Sequence, residues 1–118
     1  MNKKLWVIII LVVVLGISFL VYRNITGSAV SGELDGFAQC LTDNGIKMYG
    51  TDWCSHCQNQ KKLFGKSFKQ IDFIDCDRNR SECLSAGIEG YPTWKINGES
   101  YPGEQSLERL SSLSGCEL

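Results

Sequence analysis

The sequence contains no basic run, no internal repeat and no low-complexity tract. Across its 118 residues, 12 Lys and Arg are balanced by 13 Asp and Glu, and the formal net charge is -1. Beyond Arg23 the balance is nine basic to thirteen acidic residues, so this part of the chain is mildly acidic. Nucleic-acid binding requires a clustered positive surface, and the sequence therefore argues against that class of function.

The sequence also has few residues with which to build a core. Its 118 residues are enough for one domain. The apolar amino-terminal segment leaves fewer than about 90 residues for the folded part, a size at which covalent cross-links matter. Six cysteines follow that segment, at positions 40, 54, 57, 76, 83 and 116. After a membrane segment they favour disulfides, whereas a reducing cytosol would favour a zinc site.

The amino-terminal segment is long and apolar. Residues 5–22 carry no charge, and at about 1.5 Å per residue they would span about 27 Å, close to a hydrocarbon core. A cleaved signal peptide and an uncleaved anchor both fit this composition. The run is longer than the usual signal core and ends in Tyr22 and Arg23, although the small residues at 29–31 would permit cleavage further along. We predict an uncleaved membrane anchor over residues 1–23.

The residues that flank this segment predict its orientation. Lys3 and Lys4 favour a cytoplasmic amino terminus. Residues 24–32 are small and polar, which indicates a flexible tether. The predicted arrangement is a single-pass membrane protein whose globular domain, over residues 33–118, lies outside the cytosol.

Hydrophobic periodicity and turn residues predict an α/β fold for the globular domain. Its elements follow the order helix, strand, helix, strand, helix, hairpin, helix. Helices are predicted over 33–44, 54–65, 80–86 and from 106 onward, and strands over 46–49, 71–75, 93–96 and 99–101. Strand–helix–strand units imply parallel pairing, and the Asn97-Gly98 turn adds an antiparallel hairpin. The sequence therefore predicts a mixed central sheet flanked by helices.

Cys54-Ser55-His56-Cys57 places two thiols where a strand turns into a helix. Residues i and i+3 share a face of the first helical turn, so the two sulfurs can form a disulfide. Free amide groups and the helix dipole favour a thiolate at Cys54, and a cationic His56 would favour it further. A stabilised thiolate makes the disulfide a stronger oxidant. We predict that Cys54 is the exposed attacking sulfur and Cys57 the more buried resolving one.

Two structural interpretations of this CxxC pair compete with a redox role. A structural zinc site needs further ligands, and Cys76 and Cys83 do not form a second CxxC. A purely structural disulfide is the other interpretation, although so short a loop removes little entropy from the unfolded chain. We predict no metal and no cofactor.

The charged residues near the CxxC pair predict little chemistry. Four lysines recur at helical spacing and are expected to form a solvated face: Lys61, Lys62, Lys66 and Lys69. Asp52 is expected to be solvated, and no carboxylate is evident as a general base for Cys57.

Tyr91-Pro92-Thr93 follows a predicted helix and precedes a predicted strand. With the Trp-Cys-Ser-His-Cys segment at 53–57, it makes residues 37–118 resemble thioredoxin-like proteins. More closely, they resemble the thioredoxin-like domain associated with vitamin K epoxide reductase homologues of bacteria and plants. The matching stretches are 48–50, 53–58, 61–65, 90–94, 96–98 and 106–107.

This resemblance implies a thioredoxin-like fold with a cis-proline loop. In that fold the loop, here Tyr91 and Pro92, faces the CxxC pair and holds the substrate chain. The resemblance also implies a disulfide between Cys76 and Cys83, for which the alternatives are two free thiols or a redox role in passing electrons on from the CxxC pair. It further implies reoxidation by a quinone-linked membrane oxidase of the vitamin K epoxide reductase type.

A disulfide between Cys40 and Cys116 is a separate hypothesis. It would close a long loop and stabilise a small core by about 4 kcal/mol in the chain-entropy model. Six cysteines allow many pairings, and the sequence alone does not choose among them.

The predicted function is a membrane-anchored oxidoreductase that exchanges disulfides with secreted proteins through Cys54 and Cys57. Trp53, Ser55 and His56 are predicted to support this pair, Trp53 as an apolar cover. One alternative is a disulfide reductase or isomerase fed electrons across the membrane. A reduction potential well above about −270 mV would argue against it. Another is a non-catalytic binding module with a structural disulfide, which would trap no mixed disulfide.

Overall fold

The computed structural model describes residues 2–26 and 32–118. They form two units, an amino-terminal helix and a globular unit over Gly32–Leu118. The helices are α1 (Lys3–Thr26), α2 (Asp35–Asp43), α3 (Ser55–Phe64), α4 (Arg80–Ser85) and α5 (Leu107–Ser114), and a 3-10 helix covers Gly65–Gln70. The strands are β1 (Lys47–Gly50), β2 (Asp72–Asp75), β3 (Thr93–Ile96) and β4 (Glu99–Pro102).

Helix α1 is long and apolar enough to cross a membrane, a property that a signal sequence shares. Its span over Lys3–Arg23 has a mean hydropathy of 3.0. The helix continues to Thr26, beyond the predicted boundary at residue 23, because no glycine or proline interrupts the chain before Gly27. The start of the predicted tether is therefore helical, and its residues 27–31 lie outside the described residues.

The sheet has four strands in the order β2-β1-β3-β4. β1 and β2 are parallel, since α3 and the 3-10 helix carry the chain back between them. β3 runs antiparallel to both β1 and β4. Asn97 and Gly98 both have positive φ, 51° and 82°, as a tight hairpin turn requires. The mixed sheet predicted from the sequence is confirmed.

Helices supply side chains to both faces of this sheet, because successive strand residues point to opposite sides. Met48 of β1 enters the main core, together with Trp94 of β3 and residues from α2, α3 and α5. Tyr49, the next residue, enters a smaller cluster with Cys76 and with Cys83 of α4. The thioredoxin-like α/β fold expected from the sequence is confirmed, and it places the end of β1 and the start of α3 beside the main core.

Two disulfides cross-link the globular unit. Cys40 of α2 is bonded to Cys116, 76 residues later, with their Cα atoms 5.9 Å apart. Cys76, which follows β2, is bonded to Cys83 of α4 with a Cα separation of 5.7 Å. The first bond holds the carboxyl end of the chain against α2, and the second holds α4 to the end of β2.

Candidate active site

The two remaining cysteines, Cys54 and Cys57, are reduced and lie at the start of α3. Cys54 is the N-cap residue, and its Sγ accepts a hydrogen bond from the Cys57 N–H at 3.4 Å. Cys54 is 9% exposed and Cys57 is fully buried. The sulfur predicted to be exposed is therefore the more accessible of the two, but most of its surface is covered. A thiolate at Cys54 would gain from the amide groups at this helix end.

Cys57 is held as a neutral thiol by its surroundings. Burial raises its pKa to about 12, and a backbone hydrogen bond from Thr51 only partly opposes that shift. Gly50, the last residue of β1, makes room for the sulfur, since a Cβ there would lie 2.7 Å from Cys57 Sγ. The close approach of β1 to α3 thus depends on this glycine.

The loop at Tyr91 and Pro92 lies directly against Cys54. The peptide bond between Tyr91 and Pro92 is cis, and the Cys54 thiol donates to the Tyr91 carbonyl oxygen at 3.7 Å. Pro92 is buried, whereas Tyr91 is 38% exposed. The structure therefore brings together the pair and the loop that the sequence predicts as catalytic and substrate-binding residues.

Trp53 stands at the surface beside this loop. Its side chain is 67% exposed, it contacts the edge of Tyr91 with ring centroids 6.2 Å apart, and its Nε1 donates to Asp77 at 2.8 Å. Beyond Tyr91 lies a cavity of about 190 Å³, lined in part by the Cys76–Cys83 disulfide and by Leu84. Trp53 and Tyr91 thus present aromatic surface beside Cys54, and Tyr91 shares the lining of the cavity with Leu84.

His56 bonds to a carboxylate from a distant part of the chain. Its Nδ1 lies 2.7 Å from Oε1 of Glu104, which also accepts a hydrogen bond from the Asn59 amide at 3.2 Å. The bond from His56, followed by that from Asn59, lowers the pKa of Glu104. His56, near Cys54 at the start of α3, is therefore paired with a carboxylate. Ser55, the first residue of α3, is exposed.

Lys61 corrects the interpretation of the lysines as one solvated face. Its Nζ lies 2.9 Å from Asp52 and 4.1 Å from the centre of the Phe73 ring, and its side chain is only 25% exposed. The bond to Lys61 lowers the pKa of Asp52, whose own side chain is 69% exposed. Lys61 turns inward because it has both a carboxylate and an aromatic ring as partners.

Gln60 is a buried residue of the site that the sequence interpretation missed. Its Oε1 accepts hydrogen bonds from the Trp94 indole at 3.1 Å and from the Gln105 N–H at 2.7 Å. Its Nε2 donates to the Gln105 carbonyl oxygen at 2.9 Å. Gln60 thus ties α3 to the loop before α5. Its helical spacing from Cys57 and Phe64, both buried, was a usable signal for its burial.

The described residues offer no obvious metal site. Within residues 2–26 and 32–118, no three His, Cys, Asp or Glu side chains converge in a way that could hold a metal ion.

Comparison with curated proteins identifies several relatives, although no protein-family model matches the chain. The chain is 35% identical over 106 residues to "Thiol-disulfide oxidoreductase LTO1" of Arabidopsis thaliana, covering 82% of this chain and 28% of that protein. It is 34% identical over 79 residues to "Protein disulfide isomerase-like 2-2" of rice, covering 55% and 21%. It is 33% identical over 100 residues to "Thioredoxin domain-containing protein 5 homolog" of Drosophila melanogaster, covering 73% and 24%. The chain spans about a quarter of the length of these relatives.

Solved structures similar to the chain include two thioredoxins. Thioredoxin from Fasciola hepatica has a TM-score of 0.44 at 15% identity, covering 69% of this chain and 91% of that one. Oxidised thioredoxin from Plasmodium falciparum has a TM-score of 0.43 at 19% identity, covering 67% and 86%.

Proposed function

We propose that this chain, which belongs to the thioredoxin-like thiol–disulfide oxidoreductase family, exchanges disulfides with secreted proteins outside the cytosol. The observation that carries the proposal is the placement of Cys54. Its sulfur caps α3, lies 3.7 Å from the carbonyl oxygen of Tyr91, and has the buried Cys57 one helical turn away. A nucleophilic sulfur, its resolving partner and a loop for the incoming chain are thereby adjacent.

The proposed reaction begins with the Cys54–Cys57 disulfide. A thiolate of the substrate attacks Cys54 Sγ, the bond between the two enzyme sulfurs breaks, and Cys57 leaves and takes up a proton. A second substrate thiolate then attacks the substrate sulfur of the mixed disulfide and releases Cys54 as a thiolate. The substrate has lost two electrons and gained a disulfide, and the enzyme has gained both electrons.

The burial of Cys57 favours this direction of exchange. The mixed disulfide has two fates, attack by Cys57 or attack by the second substrate thiol. Cys57 has a pKa of about 12, so very little of it is thiolate at neutral pH. Within residues 32–118, no Asp or Glu side chain is buried beside it to accept its proton. The mixed disulfide therefore persists long enough for the substrate to complete its own disulfide.

We further propose that α1 remains as an anchor and that a quinone-linked membrane oxidase of the vitamin K epoxide reductase type removes the two electrons. The length and hydropathy of α1 support the anchor. The sequence resemblance of the globular unit supports the oxidase partner. The reoxidation step is the reverse exchange, in which Cys54 attacks a disulfide of the oxidase and Cys57 closes the ring.

Trapping of mixed disulfides tests the exchange reaction. The Cys57→Ala variant of the full chain is expressed in cells and its membranes are isolated. Cys54 should then form mixed disulfides with secreted proteins and with the oxidase, and a reducing agent should release them. The Cys54→Ala/Cys57→Ala variant is the matched control. If the single variant traps no more protein than this control, the chain is a binding module and does not exchange disulfides.

The reduction potential of the full chain in detergent separates an oxidant from a reductase. A potential well above about −270 mV is expected for an oxidant, and a value near or below that figure would contradict the proposed direction. The relatives named protein disulfide isomerase make isomerisation the second candidate. The reactivation of scrambled ribonuclease A by the full chain measures isomerase activity directly.

Extraction and mass measurement test the anchor. A chain that keeps α1 should stay with the membrane pellet in alkaline carbonate and have the mass of the intact protein. A shortened, soluble chain would show that α1 is a cleaved signal.

A further inference from the structure

Glu104 brings a negative charge to the start of the helix that carries Cys54. The first turn of α3 contains no acidic residue of its own. The carboxylate that reaches this turn comes from the loop between β4 and α5, 48 residues after His56. His56 Nδ1 and the Asn59 amide both bond to the same oxygen, Oε1, at 2.7 and 3.2 Å. Two contacts from α3 thus fix the position of this one carboxylate.

The pair of His56 and Glu104 changes what the histidine contributes to Cys54. A lone imidazolium between the two cysteines would stabilise a neighbouring thiolate. An imidazolium bonded to a carboxylate carries no net charge with its partner, so its field at Cys54 is largely cancelled. A carboxylate left without its imidazolium would instead oppose the thiolate and compete with it for the partial positive charge of the helix end.

We propose that Glu104 is a positioning residue that lowers the reduction potential of the Cys54–Cys57 disulfide by offsetting the charge of His56. The inference rests on the proposed function, because it requires a redox-active pair. Reduction adds two electrons and one proton, and leaves Cys54 as a thiolate and Cys57 as a thiol. Anything that stabilises the Cys54 thiolate therefore favours the reduced form and raises the potential.

The net charge that each variant leaves at positions 56 and 104 predicts the order of the reduction potentials. Glu104→Gln removes the negative charge and leaves the positive charge of a protonated His56 unopposed, so the reduced form gains stability. His56→Gln leaves an unpaired carboxylate, so the reduced form loses stability. The double variant has neither charge and should lie close to the original protein.

The experiment measures the thiol–disulfide equilibrium of the full chain in detergent against reduced and oxidised glutathione at pH 6.5, a value set near the ordinary histidine pKa of about 6.5. Alkylation followed by mass spectrometry reports the state of Cys54 and Cys57. Glu104→Gln should shift the equilibrium toward the reduced form by about three- to tenfold, and tenfold corresponds to about 30 mV. His56→Gln should shift it by a similar factor in the opposite direction. The double variant should lie within about twofold of the original protein, a readout that a merely structural role of Glu104 would not produce.

Glu108→Gln is the matched control, since Glu108 lies in the first turn of α5, close to Glu104 in the chain. If Glu104→Gln leaves the equilibrium unchanged while His56→Gln alone shifts it, His56 acts without Glu104 and the inference is overturned. An equal shift in Glu108→Gln would also overturn it, because surface charge in general would then explain the effect. If the original protein forms no reversible Cys54–Cys57 disulfide, the proposed function itself fails.

Discussion

Cys54 and Cys57 lie one helical turn apart at the start of α3, whereas Cys40 and Cys116 join α2 to the carboxyl end of the chain across 76 residues. The first pair is reduced, and its leading sulfur caps a helix beside the Tyr91 loop. The second pair is bonded, and Cys116 is 2% exposed. The two cysteine pairs of one small unit thus differ in redox state, in sequence separation and in what lies beside them.

The difference shows how loop length and surroundings distinguish the pair of free cysteines from the long-loop disulfide. Closing a short ring removes little entropy from the unfolded chain, so both redox states of the first pair are close in energy. Closing a long loop removes much more, so the second disulfide stabilises the fold and resists reduction. The first pair is free and lies beside the Tyr91 loop, where a partner chain is proposed to bind. The five predictions below test this comparison, beginning with the largest effect.

Replacement of Cys54 should abolish disulfide exchange. The oxidation of reduced ribonuclease A by stoichiometric oxidised full chain should be undetectable with Cys54→Ser, because no other sulfur can accept the attacking thiolate. The Cys76→Ser/Cys83→Ser variant should retain activity within about threefold. Residual exchange in Cys54→Ser, or its loss in the other variant, would place the reactive disulfide at Cys76 and Cys83.

Alkylation should separate Cys57 from Cys54 by a large factor. With a pKa of about 12, the Cys57 thiol of the reduced chain should react with iodoacetamide at pH 8 about a thousandfold more slowly than free cysteine. Peptide mass spectrometry over a time course measures both sites. Similar rates at Cys54 and Cys57 would contradict the burial of Cys57.

The same shift predicts how stability depends on pH. Because the folded pKa of Cys57 lies above that of free cysteine, near 8.5, its contribution is complete below about pH 8.5 and is lost as pH rises toward 12. The reduced chain should therefore lose stability over this range relative to the oxidised chain. Parallel urea curves for the two redox states would contradict this assignment.

Loss of the long-loop disulfide should cost more stability than loss of the short one. The chain-entropy model gives about 4 kcal/mol for Cys40→Ala/Cys116→Ala and about 2.5 kcal/mol for Cys76→Ala/Cys83→Ala. The separations of 76 and 7 residues account for the difference. Urea denaturation of each full-chain variant in detergent measures it. The reverse order would mean that native-state strain outweighs loop closure.

Gly50→Ala should disturb the catalytic pair through packing alone. The new methyl group would lie 2.7 Å from Cys57 Sγ and 3.2 Å from the Phe73 ring, so the free energy of unfolding should fall by about 1–3 kcal/mol. Gly36→Ala is the control, since a Cβ at that position in α2 meets nothing within 4 Å. That control should be neutral or slightly stabilising. Equal stabilities for both variants would show that α3 can move away from β1.

Most of the elements could be predicted from the sequence because their signals are local. The β3 strand was predicted with the bounds that it has, since Pro92 and the Asn97-Gly98 turn limit it on both sides. The last helix was predicted from residue 106 onward, and the Ser106 side chain there accepts a hydrogen bond from the Arg109 N–H. The boundary of α1 was less well placed, because polar residues after Arg23 do not by themselves end a helix.

The contacts around the active pair could not be predicted in the same way. Glu104 meets His56 across 48 residues, and Gln60 meets Gln105 across 45. The sequence pattern makes Lys61 one of four equivalent lysines, whereas the structure shows that it contacts Asp52 and Phe73. The contacts of Glu104, Gln105 and Phe73 depend on where the loop before α5, or β2, returns to α3, and no short-range pattern encodes that return.

The sequence by itself determined the spacing of Cys54 and Cys57, the helix that begins there and the apolar length of α1, because each depends only on neighbouring residues. Only the tertiary structure decided that Cys57 is fully buried while Cys54 lies 3.7 Å from the Tyr91 carbonyl oxygen. It also decided that a distant carboxylate pairs with His56. Burial and charge pairing arise when segments far apart in the chain pack together. They determine the acidity and the accessibility of the two sulfur atoms, whereas the local sequence pattern determines only their positions in the chain.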